Sequence, residues 1–295
     1  MRIFLTGGTG YIGSAVLDGL LKAGHHVDVL VRNNEKAAQV QARGGNPLLG
    51  DLSDPSTYAD VVAAADGVIL TAFEYSPRGV QVDATVIDAV LGSRGAPGRF
   101  LIYTSGVWVL GPTPVPVDET APLRPIELVA WRPAHEEKIL AATGWRTAVI
   151  RPGVVYGGSA GMVGDLLKDA SNSLIRVIGP GDNHWALVYD RDLADLYVRI
   201  AANGDASGLF HANDEGDETV NEIVAALSEH AKTEPSVRHV PLAEARQKMG
   251  PYADALALDQ IVRSPRARAL GWNPSLKSVA GNAARLFEEY RRGKR

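Results

Sequence analysis

The chain has 295 residues, of which 45% are hydrophobic and 22% charged, and its formal net charge is −4. This composition predicts a soluble globular protein with a sizeable core, and the charge gives no reason to expect nucleic acid or an anionic membrane as partner. Because cysteine is absent, disulfides, thiolate chemistry and cysteine-bound metals are excluded. The sequence has no run of about eighteen apolar residues, so we expect a cytoplasmic protein without a membrane-spanning helix.

Short apolar runs alternate with helical patterns through the first half of the chain. Strands are predicted at residues 3–5, 27–31, 48–49, 68–72, 100–103 and 147–150. A long helix is predicted over about residues 126–142, where Pro133 can bend or restart it. Strands that alternate with helices favour right-handed parallel βαβ units. The sequence therefore predicts an α/β fold with a Rossmann-type doubly wound parallel sheet.

The pattern changes in the second half. Residues 156–187 are rich in glycine, and further on short helices and strands are separated by prolines. We expect residues 1–155, joined by residues 188–210, to form a dinucleotide-binding Rossmann core. Residues 156–187 and 211–295 are then expected to form a smaller C-terminal lobe, which binds substrate over the carboxyl ends of the strands.

The most specific motif is a glycine turn directly after the first strand. Gly7, Gly10 and Gly13 recur at a spacing of three between that strand and an amphipathic helix. Glycine at these positions permits a tight turn, lets the backbone approach a pyrophosphate and lets the helix pack close to the sheet. The N-terminus of the helix attracts phosphates. Cofactor contacts are therefore expected from Gly7, Thr9, Gly10, Tyr11, Ile12 and Gly13.

The end of the second strand indicates which dinucleotide binds. Rossmann folds that bind NAD usually place an acid here to contact the ribose hydroxyls, but this chain has Val31 followed by Arg32. A guanidinium suits the 2′-phosphate of NADP, because it is planar, permanently charged and a multiple donor. We therefore expect NADP(H) as the cofactor, with NAD(H) as the weaker candidate. Further contacts to the dinucleotide are expected after the third and fourth strands, from Asp51 and Leu52 and from Thr71 and Ala72.

Four motifs carry a family resemblance, at residues 6–13, 103–111, 151–157 and 190–194. In their order and spacing, over roughly the first 210 residues, the chain resembles the extended short-chain dehydrogenase/reductase family. That family contains nucleotide-sugar epimerases, dehydratases and related reductases. The resemblance implies the Rossmann fold and a nicotinamide cofactor, with further cofactor contacts from Pro152, Val154 and Val155 in the third motif.

The resemblance also implies a catalytic set of Ser or Thr, Tyr and Lys. In that set the lysine holds the nicotinamide ribose and lowers the pKa of the tyrosine. Ser105 matches the serine, and Lys138 matches the lysine on the following helix. The tyrosine is expected four residues before the lysine, where this chain has Ala134. A methyl group cannot relay a proton, so the chain resembles the atypical members of the family.

Other side chains are candidates for the proton donor and for substrate contacts. Tyr75 follows the fourth strand, and His135 shares much of the helix face of Lys138, so either of them or water is the expected donor. Trp131 is expected on the same helix face. His184 and Trp185 lie in a glycine-rich segment that resembles the family's substrate-facing loop. We expect Trp131, His184 and Trp185 to contact substrate. The alternative is that they are core or surface residues.

These observations favour an NADP(H)-dependent oxidoreductase that transfers hydride to a small or medium organic carbonyl or related group. A non-catalytic NADP-binding regulator or sensor is the alternative that the absent tyrosine favours. A nucleotide-sugar epimerase or dehydratase is a further alternative, although Arg32 and Ala134 both count against it. The expected partner is a small-molecule substrate, with a homodimer as a further expectation. No nucleic acid, membrane or metal site is expected.

Overall fold

The computed structural model describes residues 1–95, 97–232 and 234–293. The strands are β1 (Arg2–Thr6), β2 (His26–Val31), β3 (Asn46–Leu49), β4 (Gly67–Leu70), β5 (Phe100–Thr104), β6 (Thr113–Val117), β7 (Arg146–Pro152), β8 (Val154–Tyr156), β9 (Leu174–Ile178), β10 (Leu187–Tyr189), β11 (Gly208–Ala212), β12 (Ser236–Val240) and β13 (Gln260–Val262). The helices are α1 (Tyr11–Lys22), α2 (Asn34–Arg43), α3 (Ala59–Ala64), α4 (Gly79–Leu91), α5 (Arg132–Leu140), α6 (Gly161–Ser171), α7 (Asp190–Ala202), α8 (Val220–His230), α9 (Leu242–Met249), α10 (Tyr252–Leu256), α11 (Pro265–Ala269) and α12 (Ala283–Gly293). In these described ranges no helix is both long enough and apolar enough to cross a membrane.

A parallel sheet forms the centre of the fold. Its strand order is β3-β2-β1-β4-β5-β7-β11, so the order reverses between β1 and β4. Residues of β1 after Arg2 and all of β4 are buried, as expected for strands that helices cover on both faces. The predicted α/β fold with a doubly wound parallel sheet is confirmed. The reversal of strand order opens a crevice, which is where such sheets bind ligands.

Helices cover both faces of this sheet. On one face α1 and α7 pack around buried apolar side chains that include Leu17, Leu196 and Trp272. On the other face α3, α4 and α5 contribute Val62, Ile87 and Ile139 to a second apolar cluster. Burial on both faces leaves the carboxyl edge of the sheet as the accessible part of the core.

A separate apolar cluster forms a smaller lobe. It joins α6, α8 and α12 to two short strand pairs, β8 with β10 and β9 with β12. Leu227 and Phe287 are among its buried side chains. Met162 of α6 and Tyr252 of α10 extend from this side of the molecule into the cavity described below.

The long helix expected over residues 126–142 is interrupted. A 3₁₀ turn at Glu127–Val129 precedes α5, which begins at Arg132 and has Pro133 in its first turn. Proline is tolerated in the first turn of a helix, where its missing N–H group has no partner to lose. Pro133 therefore restarts the helix, which is one of the two outcomes expected for it, and α5 spans Arg132–Leu140 rather than residues 126–142.

Asp214 makes the stability of the fold depend on pH. Its carboxylate is buried and accepts hydrogen bonds from the Tyr156 hydroxyl (3.1 Å) and the Gly216 N–H (3.0 Å). Burial raises the pKa of Asp214 from 3.8 to about 7, because a buried charge is poorly solvated. The folded pKa lies above the unfolded one, so the stabilisation is complete below about pH 4 and is lost as the pH rises through about 7.

We therefore expect Asp214→Asn to flatten the fall in the free energy of unfolding between about pH 4 and pH 7. Urea unfolding at several pH values measures this slope. The exposed Asp182→Asn variant is the control and should keep the wild-type slope. An Asp214→Asn slope equal to that of wild type would contradict the assignment.

Candidate active site

A cavity of about 700 Å³ lies between the sheet and the smaller lobe. Residues at the carboxyl ends of β1, β4, β5 and β7 border it, beside the reversal of strand order. Its wall is mostly apolar with a few polar groups, as expected of a site for a small organic molecule. The aromatic side chains of the wall are Tyr11, Phe73, Tyr75, Trp108, Trp131 and Tyr252.

The glycine turn forms one end of this site. Gly7 has a left-handed backbone (φ 77°), and a Cβ atom on it would lie 2.7 Å from Thr71 Oγ1 and 2.8 Å from the Ala72 nitrogen. The first turn of α1 carries no side-chain cap and no acidic residue, so its N–H groups are available to an anion. Tyr11 and Ile12 from this turn line the cavity. The turn therefore fits the pyrophosphate of a dinucleotide.

The predicted cofactor residues largely surround the cavity. Those in its wall are Tyr11, Ile12, Thr71, Ala72, Pro152, Val154 and Val155. Gly10 is exposed at the head of α1, and its N–H donates to the Gly7 carbonyl oxygen at 2.7 Å. Thr9 is half-buried beside it, and Gly13 is buried against the turn. Together these positions outline a path from the glycine turn to the end of β7.

The far end of the path lies beyond β2 and β3. Arg32 is exposed and lies just before α2. Its positive charge and that of Arg78 both contribute to lowering the pKa of Asp51. Asp51 Oδ1 accepts hydrogen bonds from the Ser53 N–H (2.8 Å) and hydroxyl (2.7 Å). The hydroxyl bond is the main cause that lowers the pKa of Asp51. One carboxylate oxygen of Asp51 is therefore already hydrogen-bonded within its own turn. Leu52 borders a small cleft beside β4.

Ser105 supplies an unpartnered hydroxyl in the cavity wall. The residue follows β5, where its N–H donates to the Ile150 carbonyl oxygen at 2.8 Å. Its side chain is 7% exposed, and its Oγ has no hydrogen-bond partner within the described residues. The neighbouring Thr104 hydroxyl, by contrast, bonds to the Tyr197 hydroxyl at 2.5 Å. A buried polar group without a partner is unusual in a folded protein and marks a position that a ligand oxygen can fill.

Lys138 does not reach the cavity. It is 46% exposed and pairs with Asp88 of α4, and it is absent from the cavity wall within the described residues. Ala134, one turn earlier, is also exposed. This arrangement therefore does not support the expectation that Lys138 faces the nicotinamide. Leu128 and Arg132, which are likewise four residues apart, line the cavity instead.

Among the described residues, Arg132 is the cation that lines the cavity. Its Nη1 donates to the Thr104 carbonyl oxygen (3.0 Å) and more distantly to the Tyr103 hydroxyl (3.5 Å). Its guanidinium carbon lies 4.5 Å from the centre of the Trp131 ring and 5.5 Å from that of Phe73. Stacking on aromatic rings is a usual environment for arginine. These contacts hold the guanidinium beside the end of β5.

His135 lies behind the wall rather than in it. Its Nδ1 is 2.7 Å from Asp83 Oδ2, which also accepts a hydrogen bond from the Tyr103 hydroxyl at 2.7 Å. Asp83 lines the cavity, whereas His135 does not within the described chain. His135 packs edge-on against Trp131, with ring centres 5.0 Å apart. A direct proton transfer from His135 to substrate is therefore not supported by this arrangement.

Three phenols border the cavity. Tyr75 is 95% exposed and lies edge-on against Phe73, with ring centres 5.3 Å apart. The Tyr11 hydroxyl donates to the Gly157 carbonyl oxygen at 2.8 Å, and burial raises the pKa of Tyr11. Burial also raises the pKa of Tyr252. Tyr75 thus remains a candidate donor at the rim, while Tyr11 and Tyr252 hold their protons more firmly than a free phenol.

His184 and Trp185 lie away from the cavity wall. His184 Nδ1 bonds to Asp259 Oδ1 at 2.8 Å, and the buried Trp185 donates through Nε1 to the Leu256 carbonyl oxygen at 3.1 Å. These contacts join the glycine-rich segment to the chain before β13. The prediction that both contact substrate is not supported, because each side chain is engaged in the lobe itself. Trp131, in contrast, does line the cavity.

Several wall residues were missed by sequence reasoning. Leu128 and Arg132 have the same four-residue spacing as Ala134 and Lys138, so an alignment shifted six residues upstream could have found them. Asp83 on α4 and Trp108 after β5 carry no local signal of a site. The same is true of Met162 and Tyr252. Among the described residues no group of three His, Asp or Glu side chains is placed to hold a metal ion.

Comparison with known proteins finds similar chains and similar folds. The chain is 34% identical to an uncharacterized protein of Schizosaccharomyces pombe over 96% of this chain and 98% of that protein. It is 28% identical to 2-alkyl-3-oxoalkanoate reductase of Stenotrophomonas maltophilia over 77% of this chain and 76% of that protein. A human epimerase family protein crystallised with NADPH superposes with a TM-score of 0.82 at 20% identity, over 98% of this chain and 99% of that chain.

The structural match at this identity shows the fold alone. The family match is more specific, since the profile of the NAD dependent epimerase/dehydratase family covers residues 3–212. The resemblance to extended short-chain dehydrogenases/reductases is thereby confirmed. The chain belongs to the NAD dependent epimerase/dehydratase family.

Proposed function

We propose that this chain is an NADP(H)-dependent oxidoreductase that transfers hydride to a small or medium organic carbonyl compound. Membership of the family supports oxidoreductase chemistry with a nicotinamide cofactor, and the relative from Stenotrophomonas maltophilia is named as a reductase. The observation that carries the proposal is the Ser105 hydroxyl, which is buried in the cavity wall without a partner in the described chain. Leaving such a group unpaired is unfavourable, so an oxygen of a bound molecule is expected to satisfy it.

Each part of the site has an expected role. The head of α1 would hold the pyrophosphate, and Arg32 would contact the 2′-phosphate. When bound, the reduced cofactor supplies the hydride. Ser105 would donate a hydrogen bond to the substrate oxygen and so position the carbonyl carbon. The aromatic wall would bury the apolar part of the substrate.

The direct test is NADPH oxidation with a panel of ketones, aldehydes, enones and imines, followed by the absorbance of NADPH. Ser105→Ala should lower kcat/KM on an accepted substrate by about 10- to 100-fold, because it removes a hydrogen bond at the reacting oxygen. Lys138→Ala is the matched control and should stay within about twofold of wild type, since its side chain lies outside the cavity. Equal activity of Ser105→Ala and wild type would contradict the proposed role of the hydroxyl.

The preference for NADP(H) is tested at Arg32. We expect Arg32→Ala to weaken NADPH binding by about 10- to 100-fold and to leave NADH binding unchanged, because a charged hydrogen bond to the 2′-phosphate contributes about 1.5–3 kcal/mol. Titration of each cofactor by tryptophan fluorescence measures both affinities. Arg43→Ala, at the other end of α2, is the control. A wild-type protein that binds NADH more tightly than NADPH would overturn the preference.

A non-catalytic NADP-binding regulator is the second candidate. The observation that favours it is the outward position of Lys138, together with the exposed methyl group of Ala134. The two candidates differ in one result. Tight NADPH binding without oxidation by any compound in the panel would support the regulator, whereas substrate-dependent oxidation that falls in Ser105→Ala would support the oxidoreductase.

A further inference from the structure

The guanidinium of Arg132 faces a mostly apolar cavity, and the Asp83 carboxylate is separated from it by the Tyr103 hydroxyl. Arg132 lines the cavity, yet it forms no ion pair with a carboxylate in the described ranges. Its hydrogen bonds to the described chain use Nη1 alone, with the Thr104 carbonyl and the Tyr103 hydroxyl as acceptors. The Nε and Nη2 atoms of the Arg132 guanidinium have no hydrogen-bond partner among the described residues. Arginine in a poorly solvated site is normally paired with an oxyanion or a strongly polarised oxygen.

The carboxylates near Arg132 are engaged elsewhere. Asp83 Oδ2 accepts from the Tyr103 hydroxyl and is 2.7 Å from His135 Nδ1. Glu136, one turn along α5, is buried in an ion pair with Arg151. The guanidinium therefore remains available to a ligand, and its Nη1 bonds to the carbonyl oxygen of Thr104, the residue before Ser105. Both side chains line the same cavity and can donate hydrogen bonds into it.

Among the described residues, the phenols inside the cavity are poor acids. The proton of the Tyr11 hydroxyl is donated to the Gly157 carbonyl, and burial raises the pKa of both Tyr11 and Tyr252. Tyr75 stands at the exposed rim. A saturated ketone becomes a strongly basic alkoxide when it gains hydride, and so it needs an acid in the transition state. A conjugated enone becomes a delocalised enolate, which needs stabilisation of its charge more than an immediate proton.

We propose that Arg132 and Ser105 form an oxyanion site and that the chain reduces α,β-unsaturated ketones in preference to saturated ketones. This proposal rests on the proposed oxidoreductase function and names its substrate class. The β-carbon of the enone would gain a hydride in a new C–H bond, and the reduced nicotinamide that loses the hydride would be oxidised. The electron pair of the C=C bond moves to form a C=C bond to the carbonyl carbon, and the C=O pair moves onto oxygen. Arg132 and Ser105 donate hydrogen bonds to that oxygen. Water then supplies the proton to the α-carbon, which restores the C=O bond and leaves hydroxide to the solvent.

The shape of the cavity agrees with this substrate class. The Phe73 and Trp131 rings stack with their centres 5.1 Å apart and 13° between their planes. Trp108 and Tyr252 add further aromatic surface to the wall. Flat aromatic surfaces favour a planar conjugated body over a puckered saturated ring. The polar contacts, by contrast, converge at the end of β5, where the carbonyl oxygen would lie.

The first experiment measures the oxyanion site without turnover. The probe is 4-nitrophenol, whose anion has its own absorbance band, titrated into the protein saturated with NADP⁺. We expect it to bind as the phenolate, and we expect Arg132→Gln to weaken that binding at least about tenfold. Arg132→Lys should recover part of the affinity, and Lys138→Gln should match wild type. Unchanged nitrophenolate binding in Arg132→Gln would overturn the proposal, as would a loss explained wholly by weaker NADP⁺ binding.

The second experiment compares cyclohexenone with cyclohexanone as substrates for NADPH oxidation. We expect kcat/KM to favour cyclohexenone at least about 100-fold, and Arg132→Gln to lower the cyclohexenone value by about 10- to 100-fold. Equal or better turnover of cyclohexanone would overturn the substrate class and leave the oxidoreductase function standing. If NADPH binds but no carbonyl compound is reduced, the oxidoreductase function and the substrate class both fail. Nitrophenolate binding alone then decides whether Arg132 forms an oxyanion site.

Discussion

Replacing Gly13 with alanine should weaken binding of the dinucleotide by about 10- to 100-fold. A Cβ atom at this position would clash with the carbonyl oxygen of Gly7 and would lie 2.5 Å from Thr71 Oγ1. Gly7 belongs to the turn that fits the pyrophosphate and Thr71 follows β4 beside it, so the turn must shift to accept the methyl group. Overpacking of this kind costs about 1–3 kcal/mol. We therefore expect the dissociation constant for NADPH, measured by isothermal titration, to rise by about 10- to 100-fold or more.

The control for this substitution is Gly204→Ala, because a Cβ atom on Gly204 meets no atom within 4 Å. It should bind NADPH as wild type does. Circular dichroism at the temperature of the titration separates lost binding from unfolding. A folded Gly13→Ala protein with wild-type affinity would show that the glycine turn is not the phosphate site.

Replacing Glu136 with alanine should destabilise the whole fold. Glu136 on α5 and Arg151 on β7 form an ion pair whose side chains are 3% and 4% exposed. Arg151 Nε donates to both carboxylate oxygens, at 3.0 and 3.2 Å. Removing one partner leaves the buried guanidinium without compensation, which costs about 3–5 kcal/mol. We expect the free energy of unfolding from urea denaturation to fall by that amount.

An exposed ion pair provides the comparison. Glu244 and Lys248 lie one helical turn apart on α9, with 2.7 Å between Oε1 and Nζ. Such pairs contribute about 1 kcal/mol or less, so Glu244→Ala should scarcely change the unfolding transition. Glu136→Gln is a second variant, since it keeps the volume and removes the charge. If Glu136→Ala loses no more stability than Glu244→Ala, the buried pair does not hold α5 against the sheet.

The parallel sheet and its glycine turn were predictable from local patterns. Strand β1 is a short apolar run that ends at Thr6, and the three glycines follow at their required spacing. The requirement at Gly7 is a positive φ, and the requirement at Gly13 is the absence of a Cβ atom. Both are properties of single residues next to a strand, so they can be recognised without knowledge of distant contacts.

The side of α5 that faces the cavity was not predictable in the same way. Successive residues of a helix point about 100° apart, so the side chain that faces the cavity depends on where the helix starts and how it packs. Pro133 starts α5 at Arg132, and Lys138 then points towards Asp88 of α4. The family pattern alone placed Lys138 at the cofactor, and the packing of α5 against α4 brings Arg132 to the cavity instead.

Contacts between distant parts of the chain account for the remaining differences. Ser105 and Val154 line one cavity with Tyr252 because the smaller lobe packs over the edge of the sheet. His184 is directed away from the cavity by Asp259, which lies 75 residues further along. The alternation of strands and helices and the glycine spacing are local properties, and they suffice to specify the fold class and the dinucleotide turn. Which side chains meet in the cavity depends on pairings over many residues, which leave no periodic signal in the sequence.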